Sequence, residues 1–104
     1  MSDDIRSDVE KVIAENHVVI FSKSYCPYCN RAKQTLDQLG TNYVAWELDN
    51  MDDGPAVQNY LSEKTGQRTV PNIFIRQQSI GGNDKLQALL QAGKLKELLK
   101  PARI

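Results

Sequence analysis

The sequence predicts one α/β domain, a four-stranded mixed sheet flanked by helices on both faces. Two short apolar runs, residues 17–22 and 42–48, are separated by a stretch with helical spacing. A helix between two strands makes a β-α-β unit, whose strands run parallel. Two further runs, 70–75 and 79–81, are separated by only three residues, so that pair returns antiparallel. Segments with apolar residues three and four apart stand before, between and after these runs, enough to cover both faces of the sheet.

Taken in order, residues 3–15 align Ile5, Val9, Val12 and Ile13 on one helical stripe. Residues 17–22 contain Val18-Val19-Ile20-Phe21, whose continuous apolar and mostly β-branched character suits a buried central strand. Residues 26–39 repeat Ala32, Leu36 and Leu39 at helical spacing, with Pro27 suited to the first turn and Gly40 as the stop. Residues 42–48, with Tyr43, Val44, Trp46 and Leu48, read as a strand, and 49–54 as a polar turn. Residues 55–65 place Val57, Tyr60 and Leu61 inward on a helix that Gly66 ends. A strand over 70–75, interrupted at its start by Pro71, passes through the turn 76–78 into a strand over 79–81. Residues 83–91 form a helix with Leu86, Leu89 and Leu90 inward and Gly93 as its stop. Leu95, Leu98 and Leu99 mark a last helical piece closed by Pro101. The order αβαβαββαα is that of the thioredoxin-like fold.

A chain of 104 residues forms a single domain, 1–104, able to bury a working core without disulfide staples or metal. Thirteen Lys and Arg balance thirteen Asp and Glu, which argues against a nucleic-acid or bulk membrane-surface binder. Acidic residues gather at the start (Asp3, Asp4, Asp8, Glu10) and basic ones at the end (Lys94, Lys96, Lys100, Arg103), as solvated helix faces. The longest apolar run is four residues, too short to span a membrane. No basic stretch followed by an apolar block opens the chain, which predicts no secretory leader and a cytoplasmic location. No repeat, low-complexity segment or linker interrupts it.

Cys26-Pro27-Tyr28-Cys29 holds both cysteines of the chain, at a strand-to-helix junction. The positive end of a helix favours a thiolate over a thiol, and the thiolate is the species that attacks disulfides. Cys26 is the nucleophile candidate, nearest the helix start and close to Lys23; Cys29, one turn deeper, is the resolving thiol. The competing readings are a structural disulfide and half a zinc site. Structural zinc takes four N or S ligands, and besides the cysteines the chain has one histidine, His17, so no intrachain metal site is expected.

Three motifs in order now resemble a dithiol glutaredoxin over nearly the whole chain: Lys23-Ser24-Tyr25-Cys26-Pro27-Tyr28-Cys29, Thr69-Val70-Pro71 and Gly81-Gly82-Asn83-Asp84. Thioredoxin itself would read Trp-Cys-Gly-Pro-Cys. The resemblance implies a glutathione-dependent thiol–disulfide oxidoreductase, with glutathione as cosubstrate and no tightly bound cofactor. Its partners would be glutathionylated or disulfide-containing proteins, met as a monomer. It implies a cis peptide at Val70-Pro71 that presents the Val70 backbone to the substrate cysteine; a trans proline opening an edge strand is the alternative. It implies that Gly82, Asn83 and Asp84 take the γ-glutamyl end of glutathione, its carboxylate on free helix amides and its ammonium on the aspartate. Asn83 and Asp84 are also good helix caps, and the two roles are compatible. Lys23, Gln67 and Arg68 would grip the glycine carboxylate, Arg68 being alternatively a solvated loop charge. Tyr28 would cover one side of the groove and Tyr25 the other side of the sulfur, with plain packing as the competitor for both.

Two positions depart from the family pattern. The hairpin 76–78 has no glycine, so a strained turn or a different type is expected. Lys85 stands where many relatives have an acidic or small residue, and a cation in a first helical turn opposes the helix dipole. Some family members hold a [2Fe–2S] cluster between two protomers through the first cysteine and glutathione; Pro27 argues against it, because those members carry glycine or serine there. A noncatalytic redox sensor is the third reading.

Overall fold

The structure is a computed structural model that describes residues 3–100. Pro101, expected to close the last helix, and Arg103 lie outside the described residues, as does the side chain of Asp3. The elements are α1 (Asp3–Glu15), β1 (Val18–Ser22), α2 (Pro27–Gln38), β2 (Val44–Glu47), α3 (Gly54–Thr65), β3 (Asn72–Ile75), β4 (Gln78–Gly81), α4 (Asn83–Gln91) and α5 (Leu95–Leu99). The sheet order is β2-β1-β3-β4. β1 runs parallel to β2 and antiparallel to β3, which pairs antiparallel with β4. All five residues of β1 are buried, as its unbroken apolar run requires of a central strand.

Side chains alternate across β1 and β3 and build two separate cores. Val19, Phe21 and Phe74 face α1 and α3, meeting Val9, Val57 and Leu61. Phe21 stands edge-on to both Trp46 and Phe74, at 5.5 and 5.8 Å. Val18, Ile20, Ile73 and Ile75 face α2, α4 and α5, meeting Leu36, Leu86 and Leu95. Thus the helices cover both faces of a mixed sheet, as the sequence predicts.

Two local findings differ from expectation. β2 ends at Glu47, and Leu48–Asn50 forms a short 3-10 helix where an extended strand end and a polar turn are predicted. Leu48 is 2% exposed, so burying its side chain curls the chain out of the edge strand. The hairpin turn contracts to two residues, Arg76 and Gln77, with φ of 54° and 68°, and Gln78 joins β4. Both are left-handed, as the central positions of a type I′ turn demand. Arg76 has a compensation: its Nη2 donates to the carbonyls of Glu97 and Lys100, each at 3.0 Å, at the C-terminus of α5. Gln77 is exposed at the same unfavourable φ. Gln77→Gly is therefore expected to raise stability by about 0.5–1 kcal/mol, because the relief of the left-handed strain exceeds glycine's entropic cost. Thermal melting checks this, and an unchanged or lower Tm contradicts it.

Candidate functional site

The site forms where the end of β1, the loop before β3 and the β4–α4 turn converge. Beyond Ser22 the chain turns tightly, the Cys26 amide donating to the Lys23 carbonyl at 3.0 Å. Cys26 becomes the N-cap of α2 in extended conformation, and the Cys29 amide points at its Sγ from 3.4 Å. Pro27 occupies the first helical turn, where its missing N–H leaves no bond unmade. Ser24 fixes the loop from the side, its amide donating to Asp49 Oδ1 at 2.9 Å and its hydroxyl to Oδ2. Donation from the Ser24 hydroxyl and amide holds the Asp49 carboxyl below its ordinary pKa.

Both cysteines are free thiols with different environments. Cys26 is half-buried and Cys29 fully buried. Burial, with the neighbouring Cys26 adding to it, pushes the Cys29 thiol from the ordinary 9.0 up to about 11, against the smaller opposing influence of the Lys23 backbone and the Ser22 hydroxyl. A raised folded-state pKa means that the stability from burying this thiol is complete below pH 9 and is lost as pH rises through 11. Brief iodoacetamide treatment at pH 7 should therefore label Cys26 alone, with Cys29 labelling growing only as the pH approaches 11. Mass spectrometry reads this directly, and equal labelling of both cysteines at pH 7 contradicts it. Next to Cys29, Ser22 donates to Glu47 Oε1 at 2.7 Å, while Lys33 reaches Glu47 Oε2 at 2.6 Å. This chain of contacts ties α2 to β2 beneath the thiols.

Across from Cys26 lies the Val70-Pro71 bond, which is cis, as expected. The Val70 carbonyl oxygen stands 3.9 Å from Cys26 Sγ. Beside it opens a groove of about 700 Å³ that brings together Tyr28, Gln67, Thr69, Val70, Pro71, Gly82, Asn83 and Asp84. Tyr28 and Tyr25 are 59% and 69% exposed, so packing does not account for either. Gly81 of the third motif and Lys85, which follows it, also line the groove, as do Thr65, Ser79 and Ile80, whose role the motifs do not reveal.

Three assignments change, and a fourth residue, Lys23, stands outside the groove. Gly82, rather than Asn83 or Asp84, is the N-cap of α4, and no side chain caps the helix. Asn83 is 6% exposed, and its Oδ1 accepts from Gln87 Nε2 at 3.2 Å. The first-turn amides of α4 thus have no side-chain acceptor of their own, and the residues that carry them line the groove. Arg68 is not brought to the groove; it lines a separate recess on α3 with Asn59 and Glu63. Lys23 lies in another recess, with Tyr25 and Gln58. Gln58, unremarked in the sequence, donates to the Arg68 carbonyl at 2.8 Å and so holds the chain that leads to Thr69. Finally, Gln67 lines the groove, but its amide hydrogens go to the backbone: Nε2 donates to the Thr69 carbonyl at 2.9 Å and to the Pro71 carbonyl at 2.8 Å. A carboxylate grip by Gln67 would have to break those bonds.

The Glutaredoxin family model matches residues 18–80. A glutaredoxin of Vernicia fordii is 50% identical over 93 residues, covering 89% of each chain. Glutaredoxin-2 of Schizosaccharomyces pombe is 50% identical over 91 residues, covering 88% of this chain and 83% of its own. Among solved structures, the buckwheat glutaredoxin–glutathione complex superimposes with a TM-score of 0.91 at 41% identity, over 95% of this chain and 94% of the other.

Proposed function

This chain belongs to the glutaredoxin family, the glutathione-dependent thiol–disulfide oxidoreductases, and we propose that Cys26 is its attacking thiolate and Cys29 its resolving thiol. The observation that carries this reading is the placement of Cys26, half-buried at the start of α2 with its Sγ facing the Val70 backbone beside the groove, while the second thiol is fully buried. Cys26 attacks the glutathione sulfur of a mixed disulfide. The S–S bond breaks, the protein thiolate leaves and takes a proton, and Cys26 keeps the glutathione. A second glutathione thiolate then attacks that glutathione sulfur, releasing glutathione disulfide and restoring the Cys26 thiolate. On protein disulfides Cys26 attacks one substrate sulfur and forms a mixed disulfide; Cys29 then attacks Cys26 Sγ, the substrate leaves as a dithiol, and two glutathione molecules reduce the internal disulfide and leave as glutathione disulfide.

Glutathione is the cosubstrate, and a structural relative carries it in complex. In this chain its cysteine pairs with the Val70 backbone as a short added strand. Its γ-glutamyl carboxylate takes the uncapped first-turn amides of α4, and Asp84 takes its ammonium. Lys23, outside the groove but three residues before Cys26, is the cation proposed for the glycine carboxylate. The protein substrates are glutathionylated or disulfide-bearing proteins, met by a monomer in the cytoplasm, where thiols stay reduced.

Glutathione-coupled turnover of a glutathionylated peptide, beside the same peptide bearing cysteamine in place of glutathione, tests the reading. Losing both charged ends of glutathione should lower kcat/KM by at least about tenfold, the scale of one charge-assisted hydrogen bond. No turnover of the glutathionylated peptide would sink the proposal.

A further inference from the structure

We propose that Gln67 is the positioning residue of the groove, fixing the Val70 peptide opposite Cys26 and thereby setting how tightly the substrate cysteine is held. The inference rests on the reading of the groove given above. A side-chain amide nitrogen has two hydrogens. Here one is donated to Thr69 O and the other to Pro71 O, at 2.9 and 2.8 Å. Those carbonyls flank Val70, whose own carbonyl faces Cys26 Sγ at 3.9 Å. One side chain therefore brackets the peptide that the substrate must pair with.

The bracket is anchored. The Gln67 backbone N–H donates to Thr65 Oγ1 at 3.1 Å, and Asn72 Nδ2 donates to the same oxygen at 3.3 Å. The Thr65 hydroxyl in turn donates to Leu61 O at 2.8 Å, within α3. A hydroxyl offers one hydrogen and two lone pairs, so Thr65 is saturated. Gln67 also abuts the opposite wall: a methyl group placed on Gly82 would lie 3.9 Å from Nε2, and one on Gly81 3.7 Å from Oε1. The residue joins the two walls of the groove and leaves only an acceptor, Oε1, for a ligand.

Pairing with Val70 acts on bound substrate and transition state alike, so loosening it should raise KM and spare kcat. Gln67→Met keeps the length of the side chain and removes both donors. With a glutathionylated peptide, KM should rise about tenfold, the scale of a lost hydrogen-bond pair, while kcat stays within about twofold. Alkylation of Cys26 by iodoacetamide should also stay within about twofold, because the start of α2 is untouched. In the ligand-free wild type, through-hydrogen-bond couplings should connect Gln67 Nε2 to the carbonyl carbons of Thr69 and Pro71. An unchanged KM overturns the proposal. So does a parallel fall of kcat and alkylation, which would mean general damage, or an absence of the couplings. If Gln67→Met does not fold, the couplings decide alone. Failure of the wild type to turn over the peptide would instead strike the functional reading.

Discussion

Cys26→Ser is expected to lower kcat/KM for a glutathionylated peptide by at least about 10⁴-fold, in line with the loss of other catalytic nucleophiles. A serine hydroxyl at the start of α2 is not ionised at neutral pH and does not displace a thiolate from sulfur. The neighbouring thiol offers no substitute, because Cys29 is buried and its pKa is pushed up to about 11. Cys29→Ser should behave differently, retaining turnover of glutathionylated peptide while losing the internal disulfide. The pair of variants thus separates attack from resolution. Steady-state kinetics check the first, and mass spectrometry after mild oxidation checks the second. Residual activity in Cys26→Ser within about tenfold of the wild type would move the nucleophile elsewhere.

Gly54→Ala should be the most damaging conservative change outside the thiols. A Cβ on Gly54 would stand 1.9 Å from the Leu48 carbonyl oxygen and 2.9 Å from its carbon. Neither side can yield easily. Leu48 is 2% exposed and packed in the core with Phe21 and Val57, and the Gly54 amide is held by Met51 O at 3.1 Å. Forcing the two apart should cost at least about 3 kcal/mol, the upper range of overpacking. Tm should fall on the order of 10–20 °C for a domain of this size. The same 3-10 turn carries Asp49, which holds Ser24 just ahead of Cys26 in the active loop, so the lesion should also loosen the thiol site. A Tm within about 3 °C of the wild type would show that the Leu48 carbonyl moves aside freely.

The constraint at Gly54 is invisible in the sequence, because close approach of two backbones leaves no periodic signature. The helices are legible for the opposite reason: the stripes Ile5-Val9-Ile13 and Val57-Tyr60-Leu61 write their burial directly into spacing. The three motifs likewise bring Tyr28, Val70, Pro71 and Asp84 to one groove, as their order implies. What the motifs do not reveal is the direction taken by long polar side chains. Gln67, Arg68 and Thr69 are consecutive, and successive side chains of an irregular or extended segment point to different sides. Gln67 and Thr69 line the groove and Arg68 a different recess. The role of Gln67 is hidden further, since its partners are backbone carbonyls that every residue possesses.

The two cores meet only through the sheet: α1 and α3 pack on one side, α2, α4 and α5 on the other, and among the described residues no buried side chain belongs to both clusters. Lesions on distant, unconnected sites combine additively. A truncation at Val9 and one at Leu86 should accordingly sum, leaving no coupling for a double-mutant cycle to detect. Each layer can then drift in sequence without waiting for a compensating change in the other, while both walls of the groove stay anchored to the sheet they share.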